Sequence, residues 1–214
     1  MTYRLHVCQP QAGNVSEVEG ATRQTERSEA TRRVLVDAGR ELFADRGYAA
    51  VGTEEVVRRA GVTRGALYHH FTDKRDLFRA VYEDVEEELV RSIGEAMGSA
   101  KDPWELLVTG MRSWLEACAD PKVMQIGLID APAVLGWQEW REISARYGLG
   151  LVSMGLEGAM EAGVLRRQPV RPLAHLLLGA MSEAGMVVAA AAGARSARDE
   201  IEGALLALME GLRA

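Results

Sequence analysis

Cysteine is nearly absent, with two among 214 residues. Cys8 and Cys118 cannot build a disulfide framework and read as reduced thiols of a cytoplasmic protein. Proline is scarce too, with six, and long stretches rich in Ala, Leu, Glu and Arg run between them, which indicates an all-α protein. No alternating apolar–polar run stands between turn signals, which argues against a sheet-based fold. The chain does not open on the basic, apolar and small-residue succession of a signal peptide. Its most membrane-like run, residues 176–194, is broken by Glu183 and is otherwise largely Ala and Gly. A buried interface helix is expected there, and no membrane span.

Catalytic and metal-binding patterns are missing as well. His6, His69, His70 and His175 have no Cys or carboxylate partners at metal-ligand spacing. There is no Gly-x-Ser-x-Gly, no phosphate loop and no dinucleotide fingerprint. An enzyme is therefore not expected, and neither a metal nor a cofactor is called for. No repeat of fixed period is found.

Positive charge is also short. The formal net charge of −6 argues against a generally sticky nucleic-acid binder. Its distribution says more. Residues 25–75 carry 10 Lys and Arg against 8 Asp and Glu, residues 1–24 carry two of each sign, and residues 76–214 carry 13 basic against 21 acidic side chains. A mildly basic segment ahead of an acidic remainder would orient the protein on a polyanion and discourage non-specific contacts.

What is present is organised around residues 53–74, TEEVVRRAGVTRGALYHHFTDK. Thr53 is placed as an N-cap, with Glu54 and Glu55 facing the positive end of the helix dipole. Val56, Val57 and Ala60 give a small apolar face, and Gly61 sits where the helix must stop in a left-handed conformation. Thr63 is a second N-cap ahead of residues 64–71. Leu67 and Phe71, four apart, point inward and leave Arg64, Gly65, Tyr68 and His69 outward. Thr72 and Asp73 can cap a third helix. This is the layout of a helix-turn-helix reader of double-stranded DNA. Arg64 can pair with guanine, Gly65 admits close approach, and Tyr68, His69, His70, Thr53, Thr63 and Lys74 can contact phosphates. A plain helical hairpin with a polar surface would show the same spacing.

The detail of GVTRGALYHHFTDKRDLF goes further. It resembles the recognition-helix region of the TetR (tetracycline-repressor-type) transcriptional regulators, with Thr63, Arg64, Gly65, Leu67, Tyr68, His70, Phe71, Lys74 and Leu77 at the matching positions. The close resemblance covers residues 28–82. It implies about nine helices, an N-terminal three-helix reader domain, a C-terminal ligand-binding and dimerisation domain, a homodimer, a small-molecule effector and, more often than not, repression.

In chain order, residues 1–24 read as a flexible tail whose Arg4 and Arg23 could touch DNA. Residues 28–48 read as a first helix with Ala30, Val34, Leu35, Ala38, Leu42 and Phe43 on its core face. The reader domain is placed at 25–75 and the effector and dimerisation domain at 76–214. Residues 73–97 form a long helix that links the two, and its acidic run 83–88 reads as a solvated face. Further helices are expected over 103–119, 123–131, 136–162, 172–192 and 197–212.

All four tryptophans fall within residues 104–140. Together with scattered methionines and short helices broken by Pro and Gly, they suit an apolar cavity. The expected lining is Trp104, Met111, Trp114, Met124, Trp137, Trp140, Tyr147, Met154, His175 and Glu183. If Glu183 and Asp130 faced it, a cationic aromatic effector would be favoured. The last two helices carry stripes of small and apolar residues, Gly179, Ala180, Ala184, Val187 and Val188, then Leu205, Leu208, Met209 and Leu212. Two such helices from each chain would form an isologous four-helix bundle. The expected function is a ligand-responsive homodimeric repressor. A helical protein-binding adaptor without DNA activity is the alternative, and an enzyme using the aromatic cavity is the remotest.

Overall fold

The computed structural model describes residues 15–191 and 194–214, with side chains from residue 24 onward. Arg4, His6 and Cys8, and the side chain of Arg23, lie outside the described residues. Nine helices follow one another within that range. They are α1 (Val15–Arg46), α2 (Thr53–Ala60), α3 (Arg64–His70), α4 (Lys74–Met97), α5 (Pro103–Cys118), α6 (121–135), α7 (Trp137–Glu161), α8 (Val170–Ala190) and α9 (Arg195–Glu210). One antiparallel bridge, Leu165 to Arg213, ties the C-terminus to the α7–α8 link.

Several boundaries differ from expectation. Helix α1 begins at Val15, so residues 15–24 belong to it and not to a tail. Its buried face is Leu35, Val36, Ala38 and Phe43, while Val34 is exposed. The cap of α2 is Gly52, not Thr53, which is already the first helical residue. Gly61 ends α2 at φ 68°, a left-handed turn open to glycine without strain. The Thr63 hydroxyl accepts from Ala66 N–H at 3.2 Å and Asp73 from Asp76 N–H at 2.8 Å, so both expected caps form.

Helix α6 runs past its expected end at 131. Between Pro121–Val123 and Ala131–Leu135 the turn widens into a π-helix over Met124–Asp130. Pro132 supplies the reason. It lacks an N–H and its ring crowds the carbonyl four residues back, so the preceding turn loosens rather than breaks. The Ala131 N–H accordingly reaches back five residues to Ile126 O.

Helix α4 spans about 36 Å at 1.5 Å per residue. Its first half packs Leu77, Phe78, Val81 and Tyr82 against α1 to α3, α6 and α7 in one continuous core with Leu35, Phe43, Leu67, Phe71, Trp140 and Ile143. That core crosses residue 75, so the reader body is seated directly on the C-terminal helices. Phe43, Tyr48 and Phe78 stack within it at centroid distances of 5.1 to 5.7 Å. The acidic run of α4 is not one solvated face. Asp84 binds Arg33 at 2.7 Å and Arg40 at 3.1 Å, and Glu83 binds Arg146 at 2.9 Å. Glu86 turns inward, and Glu87 and Glu88 are exposed, Glu88 in an ion pair with Arg40.

The remaining helices build two smaller cores, one around Met111, Leu115, Val188 and Leu205, the other around Leu156, Leu165 and Ala174. Helix α8 is long and apolar enough to cross a membrane by length and composition. It instead buries Leu173, Ala174, Leu178, Ser182, Ala184, Gly185 and Val188 among its neighbours.

Candidate nucleic-acid interface and internal cavity

The seven residues of α3 are held from below by Leu67 and Phe71, both buried, and from the front by the Thr63 cap. Arg64, Gly65, Tyr68 and His69 then stand exposed on one surface beside Thr63. Arg64 lies over the Tyr68 ring at 5.6 Å and meets Glu54 of α2 at 3.3 Å. The guanidinium is thus parked against a carboxylate that a base or phosphate must displace. His70 is half-buried; burial first, then His69 and Arg32, hold its imidazole below the ordinary value, which disfavours its charged form.

Two expected contacts sit differently. Thr53 is half-buried at the head of α2. Lys74 is half-buried, and its Nζ donates to Tyr48 O at 2.5 Å while lying 3.9 Å from the Tyr48 ring. Burial lowers its pKa against the pull of Asp130. Lys74 therefore ties α4 to the end of α1, with one of its ammonium donors committed to Tyr48 O. Sequence reasoning missed Arg32, which is exposed and lies 5.4 Å from the Phe71 ring at the foot of α3. Its spacing from the motif gave no sign of this.

A second feature lies among α4 to α9. It is an internal cavity of about 110 Å³, walled by all six of these helices. Met111, Trp114 and Trp140 line it as expected. The other expected residues do not. Trp104 packs beside Arg213 at 4.7 Å, and Met124 and Tyr147 are half-buried elsewhere. Trp137 and Met154 are exposed, at 59% and 54%. Trp137 flanks an outer cleft beside Arg32, His70 and Glu139. His175 is half-buried outside the lining, and Glu183 faces outward. Asp130 is engaged with the reader body, so neither acid proposed for a cationic effector reaches the cavity.

The acid that does is Glu86. The Tyr82 hydroxyl and Ser144 Oγ lie 2.7 Å apart, and Ser144 Oγ lies 3.4 Å from Glu86 Oε1. Glu86 keeps some accessible surface as a residue, but its carboxyl is enclosed by protein. Burial pushes that carboxyl up, against hydrogen bonds with Tyr82 and Ser144 that pull it down. Trp140 is fixed by its Nε1–H, which donates to Gly127 O at 3.0 Å. Cys118 also lines the cavity, and burial keeps its thiol protonated.

The expected interface residues divide. Val187 and Leu208 are exposed, and Gly179, Ala180 and Leu212 half-buried. Ala184, Val188, Leu205 and Met209 are buried in the protomer's own core and cannot meet a partner. The outward stripe of α8 is instead Leu176, Gly179, Glu183 and Val187.

A short exposed helix on a three-helix body, joined by one long helix to a helical body with an apolar cavity, defines a ligand-responsive DNA-binding regulator. Residues 35–81 match the family described as bacterial regulatory proteins, tetR family, and residues 104–212 match the tetracyclin repressor-like C-terminal domain. The chain belongs to the TetR family of transcriptional regulators. It is 28% identical over 162 residues to the Transposon Tn10 TetC protein of Escherichia coli, covering 76% of this chain and 82% of that protein. It is 34% identical over 85 residues to the HTH-type transcriptional activator FasR of Mycolicibacterium smegmatis, 40% of this chain and 39% of that one. A TetR-family regulator from Pectobacterium atrosepticum superimposes with a TM-score of 0.80 at 30% identity, over 88% of this chain and 97% of that chain. FasR and the Pectobacterium protein are named as transcriptional regulators.

Proposed function

We propose that the chain acts as a homodimeric repressor in the cytoplasm, released from a near-palindromic operator when a small apolar or aromatic effector fills the cavity. Each protomer places Thr63–His70 in a major groove, with half-sites about one helical turn apart. The partner covers the outward stripe of α8, with Leu208 of α9 beside it, so that two helices from each chain meet around a two-fold axis.

The observation that carries the ligand response is the position of α6. Gly127 and Leu128 of its π segment line the cavity. Two residues on, Asp130 Oδ2 accepts the Tyr48 N–H at 2.7 Å. Gln125 sits so close to Gly47 that a Cβ there would lie 3.2 Å from its Nε2. One wall of the cavity therefore holds the end of α1, while α4 is a second shared wall. An effector that prefers a different shape of α6 or α4 must bind the DNA-free state better, which is the condition for release.

The test is a footprint on the DNA upstream of its own gene, with the cavity then filled. Two protected half-sites one turn apart, lost as an apolar effector is added, support the reading. Binding by a monomer to a single half-site, or protection indifferent to every cavity ligand, counts against it.

A further inference from the structure

The cavity has a chemical polarity that its size and apolar walls do not convey. Among the described residues, its lining holds one carboxyl, Glu86, and no Lys, Arg or His. The other polar groups are already committed. Ser144 is engaged by Tyr82 and Glu86, Ser182 Oγ donates to Leu178 O at 2.8 Å, and the Trp140 N–H is held by Gly127. Among the described residues the hydrogen-bond partners of Glu86 are the Tyr82 and Ser144 hydroxyls and no cation pairs with it, so a buried acid stands in the wall without a counter-ion. An unpaired buried charge is strongly disfavoured, and a cation delivered to it is correspondingly favoured. Two indole rings, Trp114 and Trp140, line the same space, and aromatic faces attract cations when water is excluded.

We propose that the effector is a lipophilic amine: a single-ring apolar body with one protonated nitrogen that pairs with Glu86. The inference rests on the cavity being the effector site. A carboxylate ligand finds no cation here, and the burial that disfavours charge on Glu86 disfavours a second carboxylate beside it. A neutral alcohol or phenol gains a hydrogen bond but leaves the acid without a counter-charge. The size fits a small molecule. A dry cavity of roughly 150 Å³ accommodates benzene, and Met97, Met111, Met181 and Met209 in this wall are flexible enough to widen 110 Å³ to that scale.

The experiment is calorimetric titration of the full chain with three probes of similar shape: 2-phenylethylamine, 2-phenylethanol and phenylacetate. The amine is expected to bind at least tenfold more tightly than the alcohol, with phenylacetate weakest. Glu86→Gln, similar in shape and neutral, is expected to erase the preference for the amine and leave the alcohol within about twofold of its wild-type affinity. Glu87→Gln, on the exposed side of α4, is expected to behave as wild type. Equal binding of amine and alcohol, or a preference that survives Glu86→Gln, overturns the proposal. If the alcohol binds without any amine preference, the cavity reading stands and this inference alone fails. If no probe binds, both fail. Should Glu86→Gln not fold, the ranking of the three probes on the wild-type chain decides the matter.

Discussion

Asp130 accepts the backbone N–H of Tyr48 at 2.7 Å, joining positions 82 residues apart in the chain. The bond crosses from the cavity-lining π segment to the turn that leads into α2. Replacing Asp130 with Ala leaves a half-buried N–H unpaired, at a cost of about 1–3 kcal/mol. The expected outcome is a lower melting temperature and, in anisotropy titrations, DNA binding that responds to a cavity ligand several-fold less than wild type. Full ligand response in Asp130→Ala would show that α6 is not the route.

Lys74 and Arg64 should part company on DNA. Lys74 is expended on Tyr48 O, so Lys74→Met is expected to reduce stability by about 1 kcal/mol and leave the salt dependence of DNA binding unchanged. Glu54→Ala frees Arg64 and removes a negative charge beside the reader, so affinity for any duplex is expected to rise at low salt. Denaturation curves and salt titrations of the three proteins check this.

Glu139 clamps α7 to α4 by binding Arg75 at 2.6 Å and Arg79 at 2.5 Å. Burial raises its carboxyl, but the two guanidinium hydrogen bonds outweigh burial and leave it below the usual carboxylate range. A depressed folded pKa contributes stability that is present above the unfolded value and lost as pH falls through the folded one. Glu139→Gln is therefore expected to destabilise the protein at pH 7 and to flatten the acid limb of its stability curve below about pH 4.5. An unaltered acid limb in the variant would refute the clamp.

Leu205 and Leu208 lie three apart on α9, at neighbouring positions of the helix surface, yet the first is buried at 5% and the second 60% exposed. Leu208→Asp is expected to yield a folded monomer with weakened operator binding. Leu205→Asp is expected to unfold the protein or to cost several kcal/mol, because it buries an unpaired charge. Sedimentation of both variants, with circular dichroism, checks the assignment. A dimeric Leu208→Asp would place the interface elsewhere.

The reader was legible because its signals are local. A glycine needing positive φ, a hydroxyl cap and Leu67 four residues before Phe71 fix which side of α3 faces out. The cavity and interface were less legible because a helix in a bundle can be apolar on several faces. Composition placed Trp137 and Met154 inside, although both are exposed. It put Glu86 in a solvated run, although the turn of α4 aims it inward. The stripe at Ala184 and Val188 differs from the outward one at Glu183 and Val187 by a single position. Periodicity finds such a stripe but does not say whether a neighbour or a partner covers it. The tie from Lys74 to Tyr48 was illegible for a related reason: only the fold brings Tyr48 O to its ammonium.

The most direct test of the account is fluorescence anisotropy of the full chain and Arg64→Ala on two duplexes at several salt concentrations. One duplex carries the footprinted site, and the other carries the same bases scrambled. The wild-type chain should bind the site with an affinity that falls linearly in log–log salt. Arg64→Ala should lose about 1–3 kcal/mol on the site and little on the scramble. Equal loss on both duplexes, or no salt-dependent binding by the wild-type chain, would contradict the assignment of α3 as the element that reads sequence.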